Sequence, residues 1–188
     1  MPSRESLLAA LAATSAAAAA QHAWYWTQLP DRVATHFNWN GVPDDWMTKP
    51  AATALLLATQ LLVPWFLVGV TAMTAWMPVS LINIPHREYW LAPERRRESL
   101  AFLNRELAGI ALAVAWFMAA VSHLSFEANI AGGPLSTSAM LGLLGVYMTV
   151  VLGIVGRILW RFRTPKRNAD ASGKTPRQSD RPSSQGPW

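Results

Sequence analysis

Residues 29–49 read LPDRVATHFNWNGVPDDWMTK, a polar, turn-rich, aromatic stretch set between two long apolar runs. Its charges are Asp31, Arg32, Asp44, Asp45 and Lys49, so it lacks the basic excess found elsewhere in the chain. Residues 33–39 are rich in β-branched and aromatic side chains and suit an extended backbone. Asn40-Gly41 is a turn signal of the hairpin type, because both residues tolerate positive φ. Pro43-Asp44-Asp45 reads as a second turn. Thr48 is a candidate N-cap, and Pro50 suits the first turn of the next helix. Together these features predict a compact folded loop, long enough to be suspected of function.

Leu29, Pro30, Val33, His36, Phe37, Asn38, Gly41, Pro43, Asp44, Trp46 and Lys49 form the spacing L-P-x-x-V-x-x-H-F-N-x-x-G-x-P-D-x-W-x-x-K. This resembles a bacterial membrane-protein family, the domain of unknown function 1648. That domain occurs in relatives of SdpI, an immunity protein against a secreted peptide toxin. A second segment, 83–96 (NIPHREYWLAPERR), looks like the inter-helix segment of a subgroup of that family. The resemblance implies a multi-pass membrane protein with an immunity-like binding role. It makes His36, Phe37, Asn38, Gly41, Pro43, Asp44, Trp46 and Lys49 candidate binding residues. The extra C-terminal helices of full-length SdpI relatives are not expected here.

The length allows one domain. Apolar residues make up 52% and charged ones 14%, the balance of a membrane protein with soluble ends. There is no cysteine, which excludes disulfides, a thiol nucleophile, a thiolate metal site and C-x-x-C-H haem attachment. The net charge is +5. Its distribution suits membrane orientation, and no nucleic-acid partner is expected.

Residues 1–28 read as a first transmembrane helix, alanine-rich and ending in the aromatic belt Trp24-Tyr25-Trp26. The competing reading is a cleaved signal peptide with Arg4 as its basic region and Ala18–Ala20 as its cleavage site. Both readings put residues 29–50 outside. Residues 51–77 are the clearest span. Pro64 should kink it by removing the donor to the Gln60 carbonyl, which Thr59 or a water could satisfy. Gln60 itself is expected to bond another helix.

Residues 78–106 form a cytoplasmic interfacial segment in which Arg87, Arg95, Arg96, Arg97 and Arg105 interleave with Glu88, Glu94, Glu98 and Glu106. Tyr89, Trp90 and Leu91 are expected in the headgroup layer, with the arginines facing lipid phosphates. Residues 107–126 are a third span, 127–137 a second outer loop and 138–160 a fourth span. In the fourth, Gly142, Gly145, Thr149, Gly153 and Gly156 share a face that would admit a close helix neighbour. The first helix or a second copy of the chain would fit. Residues 161–188 read as a disordered basic tail.

Lysine and arginine collect in 78–106 and in the tail, whereas the outer loops hold only Arg32 and Lys49. The positive-inside rule then places both termini in the cytoplasm. The expected fold is an all-α integral inner-membrane protein with four spans, a folded extracytoplasmic loop and an interfacial helix.

Chemistry is sparse. His36, Asp44 and Asp45, with His123 near the same face, could hold a divalent cation, but the set is incomplete for zinc. The plainer reading gives Asp44 a turn-capping role and His36 a backbone bond. No nucleophile elbow, H-E-x-x-H, P-loop or dinucleotide fingerprint occurs. Trp39 and Trp46 serve either as interfacial anchors or as a peptide-contact surface. The sequence therefore points to a non-enzymatic sensor or immunity-like binding protein without a cofactor. The alternative is an accessory subunit of a transporter or envelope complex, and a metal-assisted membrane enzyme ranks below both. Expected partners are membrane lipids, a peptide or protein ligand on the outer face, and an oligomer mate through the fourth helix.

Overall fold

The structure is a computed structural model that describes residues 2–163. The expected tail, apart from its first three residues, lies outside the described residues. The chain runs α1 (Arg4–Trp26), β1 (Arg32–Phe37), β2 (Pro43–Thr48), α2 (Lys49–Met73), a short 3-10 turn at Val79–Leu81, α3 (Arg87–Trp90), α4 (Pro93–Ala131) and α5 (Thr137–Arg161). Three of the helices, α2, α4 and α5, are long and apolar enough to cross a membrane. The expected first span, α1, is a helix of 23 residues but is not among those three. Alanine fills its middle, and a methyl side chain contributes little apolar area.

The largest departure from expectation is α4. The sequence divides residues 78–137 into a surface segment, a span and a loop, with boundaries at 106/107 and 126/127. In the structure one helix of 39 residues runs through both. Pro93 occupies its first turn, and nothing between Glu94 and Ala131 breaks it. It ends where Gly132 takes φ 62°. The Gly133 N–H donates to Ala128 O and the Gly132 N–H to Asn129 O, the paired bonds of a Schellman stop. At ~1.5 Å per residue such a helix is longer than the ~30 Å hydrocarbon layer, so charged residues 94–106 need no helix of their own.

α4 is the mast of the bundle. α1 and α2 pack against it and against each other, and α5 packs against α4. Three apolar clusters stack along it. Tyr25, Leu29, Val33, Ala52 and Phe126 form one beneath the hairpin. Leu11, Val68, Ala111 and Ala115 form the middle one. Ile82, Ile84, Leu91, Leu100, Leu103 and Phe162 close the far end. Leu91 is therefore core and not a headgroup-layer residue. The α2–α4 connection folds back under the bundle, fastened by Ser99 Oγ to Trp90 O and by Arg96 Nη2 to Met77 O, each at 2.8 Å.

α5 has no buried residue. Among the described residues, nothing from a neighbouring element lies within 4 Å of where a Cβ would sit at Gly142, Gly145, Gly153 or Gly156. Thr149 bonds its own helix at Gly145 O. The small-residue face therefore does not pack on α1. The glycine that admits a helix neighbour is Gly109 on α4, opposite Ile154.

Candidate functional site: the outer hairpin and the polar cluster beneath it

β1 and β2 pair antiparallel from Arg32↔Thr48 to Phe37↔Pro43, with the register shifting around His36. The turn is not the two-residue type expected from Asn40-Gly41. The Asn38 N–H donates to Val42 O at 2.8 Å, and the Gly41 N–H donates to Asn38 O at 2.8 Å. Gly41 has φ 77°, while no non-glycine residue of the hairpin has positive φ. This is a three-residue loop closed by a left-handed glycine. Asn38 Oδ1 organises it by accepting from the N–H groups of Asn40 (3.0 Å) and Val42 (3.1 Å).

Two fastenings hold the hairpin on the bundle. The Leu135 N–H donates to Gly41 O at 2.8 Å, joining the hairpin tip to the α4–α5 loop. Asn129, near the end of α4, presents its amide to the β1 edge. Its Oδ1 accepts from the Ala34 N–H at 2.6 Å, and its Nδ2 donates to Ala34 O at 3.1 Å. One side chain thus replaces a neighbouring strand at that residue. Lys49 secures the base, its N–H bonding Asp31 O and its Nζ reaching Trp26 O at 3.3 Å.

A cavity of about 560 Å³ lies between the hairpin, α4 and α5. Of the sequence-derived candidates, His36, Phe37, Asn38 and Gly41 line it, whereas Pro43, Asp44, Trp46 and Lys49 do not. Trp39 adds an aromatic rim, 89% exposed. Leu135, Met140, Leu141 and Leu144 form the opposite wall, and Ser122 and Ser125 supply polar atoms from α4. His36 Nδ1 meets Asp44 Oδ1 at 2.5 Å. Asp45 turns away to accept from its neighbour's N–H, that of Trp46, at 2.9 Å. Among the described residues no group of three or more His, Cys, Asp or Glu side chains could hold a metal ion. His123, suggested to complete that set, is bonded to Tyr25 instead.

Sequence reasoning missed the polar cluster behind the cavity. His22 of α1 is 2% exposed and Gln60 of α2 is 3% exposed. His22 Nε2 lies 2.9 Å from Gln60 Oε1, and Ser122 Oγ of α4 donates to the same oxygen at 3.5 Å. Gln60 therefore ties three helices together, as expected of it, but the freed carbonyl below Pro64 does not receive Thr59, whose hydroxyl bonds Leu55 O. Phe126 sets its ring edge-on to His22 at 5.0 Å and also packs on Tyr25. Nearer the hairpin, Tyr25 OH donates to Glu127 Oε1 at 2.5 Å and lies 2.7 Å from His123 Nδ1. A phenol has one proton, so His123 Nδ1–H donates to the phenol oxygen. The available signal was polar residues inside apolar helices, which mark internal faces of membrane bundles. Their partners lie on other helices and could not be paired from spacing.

The fold and this site together define a helical, membrane-embedded class of protein, with a two-stranded sheet capping one end. Residues 13–61, which run from the later part of α1 through the hairpin into the first half of α2, match the family described as Domain of unknown function (DUF1648). No curated protein and no solved structure matches the chain.

Proposed function

We propose that this is a non-enzymatic binding protein of the bacterial inner membrane, in which the outer hairpin and the cavity beneath it take an amphipathic or peptide ligand. The cavity carries this reading. It has an apolar wall, an aromatic rim and two serines, the composition of a site that recognises an apolar body with a small polar group. The immunity-like role of SdpI relatives is one form such binding would take. In this reading α1 is retained and α1, α2, α4 and α5 all span. The polar contacts among His22, Gln60 and Ser122 then lie within the membrane, where they hold helices that lipid would not drive together. Both termini face the cytoplasm, following the arginine-rich α2–α4 connection and the end of α5.

A photo-crosslinking residue at Thr35, inside the cavity, should capture a defined adduct in native membranes, read by mass spectrometry. The same residue at Thr48, outside it, should not. Ser125→Leu, which fills the cavity, should abolish the adduct. Equal labelling from both positions, unaffected by Ser125→Leu, would rule the cavity out as the binding site. A second reading rests on α5, whose Leu141, Val146, Leu152 and Trp160 are exposed along its length. A subunit that packs against a larger complex would cover that face, and it would co-purify in constant proportion without added ligand.

A further inference from the structure

The cavity beneath the hairpin has a flank that adjoins lipid. Leu141 and Leu144 of α5 line it and are 56% and 39% exposed. On a helix that crosses the membrane, exposed leucines meet hydrocarbon, so this side of the cavity opens toward the outer leaflet. Trp39, at the hairpin tip, then falls at the headgroup level. None of the residues that line the cavity is Asp, Glu, Lys or Arg. Its one titratable side chain, His36, is already bonded to Asp44 at the outer surface. An ionised group drawn in from the leaflet would lose its water and meet no countercharge, which is costly.

Uncharged polar groups border the cavity at two levels. Thr35 and Thr137 do so close to the hairpin. Ser125 and Ser122 do so about one and two turns further along α4 from Asn129, which holds the hairpin. The two serines lie three residues apart and so share a helix face. They are 8% and 4% exposed, respectively. Ser122 Oγ donates to Gln60 Oε1 over a long 3.5 Å. Ser125 Oγ makes no hydrogen bond among the described residues, so its proton is available to whatever fills the cavity. A matching occupant has hydroxyls at one end, a carbonyl acceptor a few bonds further in, a hydrocarbon chain beyond, and no charge.

We infer that the occupant is an uncharged acylglycerol taken from the outer leaflet. Its free hydroxyls lie against Thr35 and Thr137 under the hairpin. Its ester carbonyl accepts from Ser125, with Ser122 beside it. Its acyl chain leaves past Leu141 and Leu144. The inference rests on the binding-protein reading above and narrows its ligand to one class. A phospholipid of the same chain length carries a phosphate that this lining cannot pair. A serine hydroxyl bonds an ester carbonyl without needing a charge on either side, so selection here is by the neutrality of the head and the place of the carbonyl.

The test uses the full chain in zwitterionic detergent, titrated with monooleoylglycerol, with bound lipid counted by native mass spectrometry. One molecule should bind. Oleoyl lysophosphatidylglycerol and oleoyl lysophosphatidylcholine share its chain and ester, and each should bind at least about ten-fold more weakly. The oleyl ether of glycerol lacks the carbonyl and should bind about five-fold more weakly, the effect of one net hydrogen bond. Ser125→Ala should weaken the ester by the same factor and leave the ether unchanged, a pattern that lost packing alone does not produce. Circular dichroism confirms that the variant is folded. The ester, the ether and the charged lipids are also compared on the parent protein, so the test stands if Ser125→Ala does not fold. Equal binding of ester and ether, or of neutral and charged lipids, overturns the inference. A peptide-sized adduct from the photo-crosslinker at Thr35 also overturns it, leaving the cavity as the binding site with a different ligand. If Ser125→Leu leaves both that adduct and monooleoylglycerol binding intact, the cavity is not the site, and the binding-protein reading falls with the inference.

Discussion

Gly41 bears two constraints at once. Its φ of 77° suits no side chain well, and a Cβ would come within 2.1 Å of the Leu135 carbonyl oxygen. Gly41→Val should therefore cost at least about 2 kcal/mol and free the hairpin from the α4–α5 loop. Thermal unfolding in detergent and limited proteolysis between Asn38 and Val42 both read this out. Asp45→Ala should behave like the parent, because its one bond is to the adjacent N–H. Asn129→Ala leaves the Ala34 N–H and C=O unpaired on a buried residue and should cost about 1–3 kcal/mol. If Asn129→Ala left both melting and proteolysis unchanged, water would be serving that strand edge equally well.

At the scale of elements, the fourth apolar run behaves differently from its sequence pattern. The glycine stripe of α5 suggests a packed face, yet a Cβ added at Gly145 or Gly153 would meet nothing among the described residues. Gly145→Leu with Gly153→Leu should leave the melting temperature of the isolated protein within about 2 °C of the parent. A clear fall would reveal a neighbour on that face, and its loss on dilution would make that neighbour another copy. Phe117→Ala should weaken the α4–α5 seam by about 1–3 kcal/mol, because it removes the ring stacked on Tyr147. The two experiments separate the face α5 uses from the one it leaves open. They also show why α5 could not be placed from its own residues: spacing marks a face as narrow but does not say which helix meets it.

For the whole molecule, cysteine labelling in a chain that has no native cysteine offers a direct readout of orientation. Labels at Asn40 and Gly132 should be reached from outside, and those at Arg96 and Ser172 from the cytoplasm. Labelling of Asn40 from the cytoplasm would invert the arrangement and move the cavity beneath the hairpin to the inner face. The sequence by itself determined that apolar helices dominate, that a folded loop interrupts them after the first, and that Gly41 and Asn38 matter to that loop. Those features are local: turn chemistry and apolar run length act within a few residues. Only the tertiary structure decided that the interfacial segment and third span are one helix. A charged stretch and an apolar stretch differ in solvation, but nothing in their backbone propensities separates them. The tertiary structure also brought Tyr25 to His123 and Glu127, gathered His22, Gln60 and Ser122, and set Asn129 against Ala34. Each such contact joins residues tens of positions apart, and a hydrogen bond between helices depends on how the helices pack, which no single segment encodes.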